Sequence, residues 1–108
     1  MARVDLLQGT LDMLILRVLN SGANHGWGIA QKIEVLSQQA LRVEEGSLYP
    51  ALYRMEQKGW IAAEWGQSEN NRRAKFYELT RSGRKQLAAE RQGWQDLCTA
   101  IRQVLDSA

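Results

Sequence analysis

A mainly α fold carrying one small β-hairpin is predicted by this chain, and three observations predict it. Apolar residues recur at helical spacing in four separate stretches. Two short runs rich in aromatic and branched residues, Trp60 to Trp65 and Lys75 to Leu79, flank a polar connector that contains Asn70-Asn71. The last periodic stretch, from Thr80 to about Leu105, is longer than one small core can cover.

The 108 residues suit a single folding unit with a modest core. A net charge of +2 does not mark the chain as a polyanion binder, but Arg72, Arg73 and Lys75 stand together while the acids scatter. A single cysteine, Cys98, excludes an internal disulfide framework and fits a reducing compartment. Leu14 to Leu19 is apolar, yet Asp5 and Asp12 precede it and no small-residue cleavage site follows, so no secretory leader is expected. The run is also too short to span a bilayer. These points predict a cytoplasmic, soluble protein with no membrane partner.

In chain order, residues 1 to 8 read as a short arm. The first helix, about Gly9 to Ser21, carries Leu11, Leu14, Ile15, Val18 and Leu19 on one stripe, with Met13 and Leu16 widening it. A helix apolar most of the way round is covered on more than one side, and a second subunit can supply one of those covers. Gly22 ends it, and Ala23 to His25 form a tight connection in which His25 reads as a cap or a hydrogen-bonded residue. The second helix, about Gly26 to Ser37, turns Ile29, Ile33 and Leu36 inward, and Gly26 and Gly28 allow a neighbouring element to approach closely. Gln38 to Val43 connects, with a short extended piece at Leu41 to Val43.

The third helix organises the rest. Within EEGSLYPALYRMEQKGWI, Leu48, Leu52 and Met55 fall on one side. Ser47 is the expected N-cap, Pro50 then lies in the first turn, and Gly59 is a left-handed stop. The outward side presents Ser47, Tyr49, Pro50, Tyr53, Arg54, Gln57 and Lys58, with no carboxylate between Ser47 and Met55. Such side chains stack, donate hydrogen bonds and neutralise phosphate, which suggests a helix that reads a DNA major groove. The plainer reading is a surface helix whose tyrosines only pack.

The hairpin follows, with GQSENNRRA as its connector. Arg72, Arg73 and Lys75 are either phosphate or minor-groove contacts or an ordinary solvated tip. Trp60 and Trp65 read as sheet and core residues. Three helices and a hairpin with a basic tip make a winged helix-turn-helix over residues 1–79. Residues 80–108 form a dimerisation helix capped by Thr80, in which Leu87, Trp94 and Ile101 recur every seven residues and Leu97, Cys98 and Leu105 fill the seam. Leu11 and Leu14 of the first helix are expected to join that contact. Trp94 serves either dimer packing or a flat pocket for an aromatic ligand, and Cys98 is expected to be inert.

Enzyme chemistry finds no support. One His and one Cys far apart provide no metal cluster, no phosphate-binding glycine pattern occurs, and Glu44-Glu45 are helix-start acids rather than a positioned acid–base pair. No catalytic residue, metal or cofactor is expected. Two functions remain. One is a homodimeric regulator on an inverted-repeat duplex; the other is a winged-helix protein-interaction module using Tyr49, Tyr53 and the wing.

The segments LLQGTLDMLIL, HGWGIAQKI, EEGSLYPALYRMEQKGWI and RRAKFYELTRSGRKQL together resemble the PadR family of transcriptional regulators, from Gln8 to Leu105. The third segment is the most specific. The resemblance implies a winged helix-turn-helix dimer, usually a repressor, joined through its C-terminal part, with one long last helix as in the short-form members. It also implies responsiveness to a small signal, often a phenolic or aromatic effector. Two departures stand out: Trp27 where many members carry Tyr, and a wing reading ENNRRAKFY rather than the Gly-Arg-Pro-Arg type.

Overall fold

The computed structural model describes residues 9–108; the short arm expected over residues 1 to 8 lies outside them. Four helices and a three-stranded antiparallel sheet make up the described chain: α1 (Thr10–Leu19), β1 (Asn24–His25), α2 (Gly26–Leu36), α3 (Glu45–Gln57), β2 (Ile61–Gln67), β3 (Arg73–Leu79) and α4 (Arg81–Leu105). The sheet order is β1-β3-β2. This is the mainly α winged-helix architecture that the periodicities predict.

The core forms where the inward faces of α1, α2 and α3 meet the sheet. Ile15, Leu16, Ile29, Leu48, Leu52, Met55 and Ile61 are fully buried there. Leu48, Ala51, Leu52 and Met55 follow the i, i+3, i+4, i+7 pattern of one helix face, so burying α3 on that side leaves the other side outward. Gly59 ends α3 at φ 78, with the Trp60 N–H donating to the Met55 carbonyl and the Gly59 N–H to that of Glu56. That pair of bonds satisfies the last carbonyls of the helix and turns the chain into β2.

Several details differ from the sequence reading. Ser47 is not the N-cap: the cap is Glu44, in extended conformation three residues earlier, and Ser47 lies inside the first turn. Pro50 therefore sits in the second turn, where its missing N–H removes the i+4 donor to the Gly46 carbonyl. Leu36 is exposed at the end of α2, while Ile29 and Ile33 are buried in the core. The wing strands are longer than predicted, leaving Ser68 to Arg72 as the loop, with Asn71 left-handed at φ 58. The connection before α2 contains β1, whose Asn24 and His25 pair with Tyr77 and Phe76. Trp65 belongs to the sheet, in β2, but not to the core, since it is mostly exposed.

Leu11 and Leu87, expected at a partner contact, are buried in the chain's own core. The reason is that the first turns of α4 belong to that core. Thr80 caps α4 by accepting from the Gly83 N–H at 3.0 Å, while its Oγ1 lies 2.6 Å from the Gly59 carbonyl oxygen, so one hydroxyl ties the helix start to the base of the wing. Gly83 packs directly on the Trp60 carbonyl, where no larger residue fits. Beyond Leu87, α4 leaves the core. Trp94, Leu97, Ile101, Val104 and Leu105 form an exposed apolar stripe, with Cys98 half-buried beside them and Leu14 of α1 partly buried.

Candidate nucleic-acid interface

On the outer side of α3, Ser47, Tyr49, Pro50, Tyr53 and Arg54 are all exposed. The environment differs from one to the next. Tyr49 lies against the start of α2: a Cβ on Gly26 would stand 2.8 Å from its ring and hydroxyl, so the glycine there is what lets the two helices close. Tyr53 projects freely, one turn on. Arg54 is tied down, since its Nη2 donates to Asp12 Oδ1 of α1 at 2.8 Å. The carboxylate side chain is 12% exposed and the arginine side chain 49%, so Arg54 spends part of its donor set on α1 and keeps the rest in solvent.

The wing stands beside this helix, and its three cations are used in three ways. Arg72 lies in the loop, and among the described residues its side chain has no partner. Arg73 opens β3 with its guanidinium 4.7 Å from the centre of the Trp65 ring. Lys75 is not at the tip at all. It lies within β3, where Nζ donates to Glu56 Oε1 of α3 at 3.1 Å and stands 5.7 Å from the Tyr77 ring. That hydrogen bond, partly offset by burial, holds the Lys75 ammonium above its usual pKa. Burial does the same to the Tyr77 phenol. Lys75 is therefore a brace between wing and helix. Lys58, at the end of α3, lies 4.6 Å from the Trp60 ring.

His25 is a cap, as the sequence suggests: its Nδ1 accepts from the Gly28 N–H at 3.0 Å. Gly28 packs on the Asn24 side chain, which leaves no room for a Cβ. Trp27 stacks over His25 at 6.4 Å, and Phe76 meets the same imidazole edge-on at 5.3 Å. At the other end of the molecule, Trp94 and Leu97 line an open cleft of about 230 Å³ with Gly9, Thr10, Met13, Glu90 and Gly93. Periodicity could not reveal the Asp12–Arg54 and Lys75–Glu56 pairs, which join residues far apart in the chain. The Trp65–Arg73 contact was within reach, because strand alternation puts both on one face once the hairpin register is known.

Among the described residues no group of His, Cys, Asp or Glu could hold a metal ion, and no helix is long and apolar enough to cross a membrane. The profile of the transcriptional regulator PadR-like family matches residues 15–89, well over half the chain. The chain belongs to the PadR-like family. This PadR-like protein is 30% identical over 89 residues to a transcriptional regulator of Mycobacterium tuberculosis, covering 80% of this chain and 79% of that one. Its fold is similar to a PadR family transcriptional regulator from Eggerthella lenta, with TM-score 0.79, 28% identity and coverage of 94% and 86%. A transcriptional regulator from Clostridium thermocellum is similar at TM-score 0.82 and 26% identity, with coverage of 89% and 93%. The family is one of transcription regulators and not of enzymes.

Proposed function

We propose that this PadR-like protein is a homodimeric, sequence-specific DNA-binding repressor of the cytoplasm, with residues 1–79 meeting the duplex and residues 80–108 holding the dimer. The observation that carries this reading is the outer side of α3. Ser47, Tyr49, Pro50 and Tyr53 stand exposed there, with no carboxylate between Ser47 and Met55, beside a wing that carries Arg72 and Arg73. Each α3 enters a major groove of an inverted-repeat operator, Ser47 and Tyr53 meet base edges, and the wing reaches the adjoining backbone. Arg54 contributes only the donors that Asp12 leaves unused, and Lys75 stiffens the wing against α3.

Dimerisation follows from the exposed stripe of α4. Trp94, Leu97, Cys98, Ile101 and Leu105 pair with their copies, with Leu14 of α1 at the edge; Leu11 and Leu87 take no part, being inside each subunit. A flat aromatic effector in the cleft beside Trp94 would relieve repression by favouring one spacing of the paired helices, in proportion to its differential affinity for the two arrangements.

Selection of bound duplexes from a random library, at one stated salt concentration, tests the reading. An inverted repeat should emerge, with half-sites about one helical turn or a small multiple apart. With Arg72 and Arg73 of two subunits as the phosphate contacts, affinity should fall with a log–log salt slope of about −3 to −4. Replacing both arginines with alanine should flatten that slope. Failure to enrich any duplex, together with retention of a protein partner, would replace this reading with that of a protein-interaction module.

A further inference from the structure

The wing of this protein holds a large indole at its surface. Trp65 is 57% exposed although it lies within a strand of the sheet. Its register partner is Lys75, and Gln67 is the partner of Arg73, so Trp65, Gln67, Arg73 and Lys75 share one face of the hairpin. Lys75 reaches Glu56 of α3 from that face, which makes it the face turned toward the reading helix.

We propose that Trp65 is a positioning residue for DNA binding: its indole, 4.7 Å from the Arg73 guanidinium, restrains that side chain, so that the wing presents one pre-oriented cation to a phosphate beside α3. This role rests on the DNA-binding reading above. The chemistry of the contact separates it from the other restrained cations. An ion pair, as at Lys75 or Arg54, uses up charge and N–H donors. A stack on an aromatic face uses only the flat side of the guanidinium, leaving the N–H groups around its edge free to grip a phosphate in bidentate fashion. The restraint also removes rotamer freedom that Arg73 would otherwise lose on binding. Arg72, one residue earlier and without a side-chain partner among the described residues, lacks this preparation. Lysine at position 73 would keep the charge but lose both the planar stack and the fork.

The test is a double-mutant cycle on the full-length protein. Binding to the selected duplex is measured by anisotropy at fixed salt for wild type, Trp65→Ala, Trp65→Phe, Arg73→Ala and the Trp65→Ala/Arg73→Ala pair. Trp65→Ala should weaken binding about two- to five-fold, the range an exposed cation–π contact supports. Trp65→Phe should recover most of that loss, and the double variant should bind no worse than Arg73→Ala alone. In the free protein, the Arg73 Nε–H resonance should lie upfield under the indole ring current and move downfield in Trp65→Ala. Losses that multiply in the double variant would show the indole acting by itself and overturn the role, as would wild-type affinity in Trp65→Ala or an unshifted Arg73 resonance. A wild-type protein that retains no duplex would instead sink the DNA-binding reading, and this role with it.

Discussion

Gly83 shows how much one missing methyl group can decide. A Cβ at this position in α4 would run into the Trp60 carbonyl and stand 2.8 Å from Leu79 Cδ1. Backbone cannot give way as a flexible side chain can, and the Thr80 cap one turn earlier prevents the helix from sliding. Alanine favours a helix interior by about 1 kcal/mol over glycine, so propensity alone forecasts a gain. Overpacking against a fixed carbonyl outweighs it. Gly83→Ala should destabilise the protein by about 1–3 kcal/mol, read from the urea midpoint at unchanged slope. A midpoint that stays put or rises would mean that α4 is free to shift on the sheet.

Between elements, the Asp12–Arg54 pair sets how α1 and α3 sit on each other, and its two ends are unequal. Removing Asp12 leaves an arginine that is already half in solvent and can complete its hydration there. Removing Arg54 strands a nearly buried carboxylate whose ion-pair partner is gone. Arg54→Ala should therefore cost about 1–3 kcal/mol, the penalty of an unsatisfied buried acceptor. Asp12→Ala should cost less, with the ion-pair share of its loss within about 1 kcal/mol as for an exposed pair. Chemical denaturation of both single variants and the double variant gives the coupling directly. Equal losses that simply add would show that the two side chains do not support each other.

For the whole molecule, the decisive feature is an apolar stripe on α4 that is left uncovered among the described residues. Val104 and Leu105 are 74% and 76% exposed, and Leu97 and Ile101 about half so. Introducing charge at the centre of that stripe with Leu97→Asp and Ile101→Asp should convert the proposed dimer to a folded monomer, seen by sedimentation. The same variant should keep its helix content, since neither residue contributes to the subunit core. Binding to the two-half-site duplex should collapse while weak single half-site binding persists, because linkage between the two sites is lost. A wild-type protein that sediments as a monomer at working concentration would remove the basis for paired half-sites.

Local order alone determined a good part of this protein. Helical and strand periods, the Thr80 cap, the Gly59 stop and the His25 cap are set by residues within a few positions of one another, and each can be seen in the chain before it folds. The outward face of α3 belongs to the same class, because a buried stripe of Leu48, Leu52 and Met55 leaves only one other side. Tertiary structure alone decided which charges remain available. Arg54 meets a partner 42 residues away, Lys75 meets Glu56 only through the placement of β3 against α3, and β1 exists only because β3 runs beside it. Leu11 and Leu87 are likewise buried in the chain's own core. Their helical spacing says that they must be covered, but the source of the cover depends on where distant elements pack, and side-chain period carries no information about that.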